Sequence, residues 1–205
     1  MTASDFCHRA ADIILGLVML LCSLPLLIVM AVAVRLTMGR PVLFHQIRMG
    51  RHGVPFRLTK LRSMTDGRDA QGALLPDVRR TTPFGRFLRR SRLDELPELW
   101  LIVTGRMSLI GPRPLLPATL EAMGADGVRR GSVRPGLTGW AQVCGNSSLN
   151  NADKLTLDLW YIDNRSARLD FFILFRTVLL MLFGERIDHV RLERARLAQR
   201  QAGRS

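Results

Sequence analysis

The stretch that decides the architecture runs from Ala10 to Val34, AADIILGLVMLLCSLPLLIVMAVAV. Its one charged residue is Asp12, near the start, and no other follows until Arg35. A helix needs about 20 consecutive apolar residues to cross the hydrocarbon core of a bilayer, and this run supplies them. A secretory signal peptide would need a basic start, a shorter apolar core and a small-residue cleavage site. Here the run is too long and Arg35 follows it directly, so a membrane element is expected. Pro25 lies mid-run, in Cys22-Ser23-Leu24-Pro25. Proline removes a backbone donor and kinks a helix, and Ser23 is placed to bond a freed carbonyl. On the residues alone two readings stay open: a kinked helix that crosses, and a broken helix that enters and leaves on one side. Arg35, Arg40, Arg48 and Arg51 put the C-terminal side in the cytoplasm by the positive-inside rule.

Working outward, the 205 residues allow one compact domain beside this element. The net charge of +13 comes almost wholly from arginine, since Lys60 and Lys154 are the only lysines. Arginine grips phosphate in a planar fork, so anionic lipid, a phosphorylated substrate and nucleic acid are the partner classes to weigh. Cys7, Cys22 and Cys144 show neither zinc spacing nor a disulfide framework.

The rest predicts a mostly α fold with a few short strands. Val42–His45 and Val54–Leu58 read as strands, and Thr65–Pro76 as a polar loop with turn signals at Asp66-Gly67 and Gln71-Gly72. Helices are expected over Thr82–Arg92, Leu93–Val103, Pro117–Arg130, Asn151–Asn164 and Leu169–Phe183. Gly/Pro-rich loops are expected around Gly111-Pro112-Arg113-Pro114 and over Arg134–Gln142. Leu169–Phe183, interrupted by Asp170 and Arg176, is too short to span a bilayer. It reads either as a helix in the membrane interface or as a core helix. The tail from Arg186 is expected to be extended or loosely helical.

The chemistry concentrates in Ser91-Arg92-Leu93-Asp94-Glu95-Leu96-Pro97-Glu98-Leu99-Trp100. Pro97 is tolerated only in a first turn, which places the helix start near Asp94 as its N-cap. A carboxylate there stays ionised, at a point where phosphate also docks. Glu95 faces a different direction, so one carboxylate is free to attack a phosphoryl group while the other holds a metal or handles a proton. Cations surround the pair in sequence: Lys60, Arg62, Arg86, Arg89, Arg90, Arg92, Arg113 between two prolines, and Arg134. Phosphoryl transfer needs such charge on the non-bridging oxygens. No P-loop, dinucleotide fingerprint or Ser-His-Asp set is present.

Taken together these motifs resemble the monotopic phosphoglycosyl transferases, the bacterial sugar transferase family of polyprenyl-phosphate sugar-1-phosphate transferases. The likeness runs from about Arg9 to Phe183. It is carried by the proline-bearing apolar helix, Lys60-Leu61-Arg62-Ser63-Met64, Leu93-Asp94-Glu95-Leu96-Pro97 and Met107-Ser108-Leu109-Ile110-Gly111-Pro112-Arg113-Pro114. Arg134-Pro135-Gly136-Leu137-Thr138-Gly139-Trp140-Ala141-Gln142 and Asp158-Leu159-Trp160-Tyr161 complete it.

The resemblance implies that Asp94 is the nucleophile on a UDP-sugar, releasing UMP and passing the sugar phosphate from an aspartyl intermediate to polyprenyl phosphate. It implies Mg2+ held by Asp94 and Glu95, Lys60 orienting Asp94, and Arg113, with Arg62, Arg89, Pro112 and Arg134, at the substrate phosphates. It implies a re-entrant helix over 1–40 broken at Pro25 beside Ser23, a cytoplasmic catalytic domain over 41–185 with interfacial amphipathic helices, and an arginine-rich tail over 186–205. The setting is then the cytoplasmic face of a bacterial inner membrane, in contact with membrane lipids and not nucleic acid. The oligomeric state is left open, a homodimer included.

Several positions depart from the family pattern: Leu24 where a serine is often found, Met49 in Arg48-Met49-Gly50, Leu101, Arg106 and Cys144. Leu101 and Arg106 bear on the metal site and the donor. Two rivals to the transferase are a magnesium-dependent membrane phosphohydrolase and a membrane-anchored nucleic-acid- or lipid-binding protein.

Overall fold

The apolar run folds as helix α1, Ala3–Met38, which continues through Pro25. The computed structural model describes residues 3–184 and 187–202. Ser23 Oγ donates to the Leu20 carbonyl at 3.1 Å, next to the Leu21 carbonyl that Pro25 leaves without its helical donor. Pro25 therefore lies inside a single helical segment. Side chains such as Ile14, Leu21, Ile28 and Val29 are exposed around it, as in a helix surrounded by lipid.

The chain divides into two compact units, Met1–Gln46 with Arg57–Val103, and Ile47–Phe56 with Thr104–Ser205. Strands β1 (Leu43–Met49) and β2 (Pro55–Leu61) pair in a two-stranded sheet. Their short connection forces an antiparallel hairpin, since parallel strands need a crossover of a dozen residues or more.

In the first unit, α1 is held at both ends. Arg9 donates to the Ile102 and Val103 carbonyls at 2.7 and 2.9 Å, capping helix α4 (Leu99–Val103) where its own amides leave carbonyls unpaired. Further on, Val34 is fully buried with Leu61 and Leu88. One-turn helix α2 (Asp77–Arg80) closes the polar loop. Helix α3 (Pro83–Ser91) starts as expected, with Thr82 Oγ1 accepting from Gly85 N. Gly85 lies so near the end of β2 that a Cβ would sit 1.9 Å from the Ser63 carbonyl oxygen.

Leu93–Val103 departs from expectation. Leu93–Glu98 is a 3-10 turn, α4 begins only at Leu99, and Arg92 rather than Asp94 caps the turn, with φ 56°. Pro97 has no N–H to give to the Leu93 carbonyl, so α-helical bonding starts only after it.

In the second unit, strand β3 (Ser108–Ile110) is followed by α5 (Pro117–Glu121) and α6 (Gly124–Arg130). These are two helices where one was expected, and they are separated at Gly124, whose φ of 55° favours glycine. The Arg134–Gln142 loop contains strand β4 (Gly136–Thr138) and helix α7 (Trp140–Val143). β4 runs parallel to β3 in the register Ser108↔Gly136 and Ile110↔Thr138. Helices α8 (Asn151–Asp163) and α9 (Ala167–Phe183) fall close to their expected spans, capped by Asn150 and Ser166. The tail is a regular helix within the described residues, α10 (His189–Ala202), with Leu192 and Ala195 buried and Arg196 paired with Asp153 at 2.7 Å. Arg186 and residues 203–205 of the tail lie outside the described residues.

Replacing Gly85 by Ala is expected to destabilise the protein by about 1–3 kcal/mol, because backbone must move. Denaturant melts of the purified variant check this, with a lower midpoint as the expected result.

Candidate active site

The 3-10 turn gives the acidic segment its geometry. Residues i and i+3 eclipse in such a turn, so Glu95 and Glu98 project to the same side. Lys60, near the end of β2, meets both: its Nζ lies 2.7 Å from Glu95 Oε1 and 3.1 Å from Glu98 Oε1. Arg92 Nη1 lies 3.8 Å from Glu95 Oε2. Asp94, Glu95 and Glu98 are all buried, at 7%, 7% and 3% exposure. Glu95 and Glu98 thus share one ammonium in a buried region, with Asp94 adjacent in the chain. The sequence reading missed Glu98 because, in an α-helix, its spacing from Glu95 is only loosely aligned.

The other cations expected nearby divide by role. Arg62 already has partners for its guanidinium within the protein. It is buried, and its guanidinium donates to the carbonyls of Met64 (2.8 Å), Arg40 (2.9 Å) and Met38 (3.4 Å) and to Asp66 (2.5 Å). It is a clasp between the end of α1 and the end of β2. Arg89 is exposed on α3, with Nη1 3.7 Å from Met64 Sδ.

In the second unit, the Gly111-Pro112-Arg113-Pro114 and Arg134–Gln142 segments interlock through β3 and β4. Gly111 N donates to Thr138 O at 2.9 Å and Gly136 N to Pro112 O at 3.0 Å. A Cβ on Gly139 would lie 2.0 Å from the Gly111 carbonyl oxygen, so the contact admits only glycine. Arg113 is half-buried between the buried Pro112 and Pro114. Arg134 Nε donates to Gly105 O at 3.1 Å. Trp140 stacks on Trp160 with ring centroids 5.1 Å apart, and the Arg191 guanidinium lies 4.3 Å from the Phe172 ring and 5.1 Å from Trp140. Behind them, Arg130 pairs with Asp158 at 2.8 Å. Burial pushes the Asp158 carboxyl above its ordinary range while Arg130 opposes it. Cys144 is buried, which pushes its thiol up to about 12, so it stays protonated and is no nucleophile.

The sequence matches the bacterial sugar transferase family over residues 3–184. The chain belongs to the bacterial sugar transferase family. This transferase is 44% identical over 189 residues to the uncharacterized sugar transferase EpsL of Bacillus subtilis, covering 91% of this chain and 94% of that one. It is 40% identical over 191 residues to the undecaprenyl-phosphate glucose phosphotransferase of Komagataeibacter xylinus, covering 86% of this chain. It is also 40% identical over 181 residues to the UDP-glucose:undecaprenyl-phosphate glucose-1-phosphate transferase of Escherichia coli, covering 83% of this chain. The transferase spans 36% and 39% of the length of those last two.

Among the described residues there is no group of three or more His, Cys, Asp or Glu set for a metal. Magnesium is often held by one or two carboxylates, with waters and substrate phosphates completing the shell. The adjacent Asp94 and Glu95 fit that donor set, completed by a diphosphate.

Lys60→Ala leaves Glu95 and Glu98 without their shared ammonium. It is expected to destabilise the transferase by about 3–5 kcal/mol, whereas Lys60→Arg is expected to retain most of the stability. Denaturant titration of both variants measures the difference.

Proposed function

We propose that this transferase moves a sugar-1-phosphate from a UDP-sugar to polyprenyl phosphate, such as undecaprenyl phosphate, giving a lipid diphosphosugar and UMP. The observation that carries the proposal is the buried Asp94, next to a Glu95 fixed by Lys60, in a family whose relatives bear names of that reaction. A carboxylate oxygen of Asp94 attacks the β-phosphorus, and the bond from that phosphorus to the bridging oxygen breaks, with the electron pair leaving on UMP. The lipid phosphate oxygen then attacks the same phosphorus, and the bond to Asp94 breaks, restoring the carboxylate. Lys60 holds Glu95 in place during both steps. A magnesium ion held by Asp94, Glu95 and the diphosphate would neutralise charge on the non-bridging oxygens. Arg113 and Arg134 supply guanidinium charge for the phosphates.

The membrane setting is proposed on geometry within each unit. Both ends of α1 rest on the same unit, through Arg9 on α4 and Val34 beside Leu61 and Leu88. Contacts from both ends to one compact unit favour both ends on the same side of the membrane. This supports a re-entrant α1 that bends near Pro25 and returns to the cytoplasmic face of the inner membrane. On α9, Phe171, Phe175, Val178 and Leu182 form an exposed apolar stripe, while Asp170 and Ile173 are buried. That pattern suits a helix lying in the interface.

UMP release by detergent-purified protein tests the reaction. Turnover of a UDP-sugar is expected to depend on undecaprenyl phosphate and magnesium and to fall by ~10³-fold or more in Asp94→Asn. Turnover indifferent to the lipid would point to a phosphohydrolase.

A further inference from the structure

Four consecutive carbonyls of the Arg113 loop each accept a hydrogen bond from a different group. Pro112 O accepts from Gly136 N at 3.0 Å and Leu115 O from Met49 N at 2.9 Å. Pro114 O accepts from Arg48 Nη1 at 3.4 Å. Arg113 O accepts from Arg130 Nη2 at 2.6 Å, the shortest of the four. Arg130 is itself fixed from behind, since its Nε donates to Asp158 Oδ2 at 2.9 Å and the pair's side chains are 7% and 4% exposed.

A buried ion pair is a weak source of stability, because apolar residues of like volume often serve as well. Arg130 nevertheless does something that an apolar residue cannot. Its planar fork sets both Nε and Nη2 on the Asp158 carboxylate, and Nη2 also donates to the main chain of Arg113. The flanking prolines restrict the local torsions of Arg113 but do not fix where the loop sits in the unit. The four hydrogen bonds do, and the one at Arg113 itself comes from Arg130, anchored on α8 through Asp158.

We infer that Arg130 is a positioning residue that sets the place of the Arg113 guanidinium, with Asp158 as its anchor. The inference rests on the proposed reading of Arg113 as a phosphate-binding residue. Misplacing such a group by about 1 Å is enough to lose ~100-fold in rate.

Arg130→Lys is the discriminating variant. It keeps a positive charge for Asp158, yet a single ammonium cannot reproduce the two-point fork. Steady-state UMP release by the full chain, with the UDP-sugar varied, is compared for wild type, Arg130→Lys, Arg113→Ala and the double variant. Arg130→Lys is expected to lower kcat/KM for the donor ~10–100-fold with a nearly unchanged melting temperature. The double variant is expected to be no worse than Arg113→Ala alone, since one residue acts through the other. If Arg130→Lys folds poorly, Arg130→Met with Asp158→Leu removes the buried charges together and is expected to show the same kinetic loss. Wild-type kcat/KM in a folded Arg130 variant, or losses that multiply in the double variant, would overturn the inference. Unchanged kinetics in Arg113→Ala would overturn the reading beneath it, and is distinguishable because that variant leaves Arg130 intact.

Discussion

A single ammonium group organises the acidic centre of this protein. Lys60 Nζ sits between Glu95 and Glu98, and without it buried carboxylates would repel one another in a region that screens poorly. Much of the first unit serves that contact. Arg62 clasps the strand end that carries Lys60, Gly85 lets α3 press against the same end, and Pro97 converts the start of α4 into a 3-10 turn that aligns the two glutamates. The chemistry proposed for Asp94 depends on this arrangement, because a nucleophile works only if its surroundings are fixed beforehand.

The second unit solves a different problem with backbone. Two glycine-bearing loops interlock around a pair of three-residue parallel strands, so closely that Gly139 admits no side chain against the Gly111 carbonyl. Arginine then fastens main chain to main chain: Arg130 to Arg113, Arg134 to Gly105, Arg51 to Ser132. The arginine surplus that suggested anionic partners is thus partly structural, and the guanidinium fork, which lysine lacks, explains the preference.

The longer elements were legible because their signals are local. The apolar run and the apolar stretches of α8 and α9 announce helices, and the structure adds the caps at Thr82, Asn150 and Ser166. β3 and β4 were not legible, being three residues each in Gly/Pro-rich sequence and paired only across a long connection. The turn at Leu93–Glu98 was misread in type, since Pro97 permits more than one kind of first turn. Within the candidate site, Lys60, Asp94, Glu95 and Arg113 stood out by residue type and motif. Glu98 and Arg130 emerged only from geometry, as did the bonds from Arg62 to the Met38 and Arg40 carbonyls. Long-range hydrogen bonds of that sort leave no periodic trace.

The central claim is that Asp94 becomes covalently phosphorylated by the sugar donor. Intact-mass and peptide mass spectrometry after incubation with a UDP-sugar and magnesium, without lipid acceptor, tests it most directly. The account predicts a sugar-phosphate adduct on the peptide containing Asp94, lost on adding undecaprenyl phosphate and absent in Asp94→Asn. Lipid-dependent turnover with no adduct at any time after mixing would contradict it and require direct transfer between the two substrates.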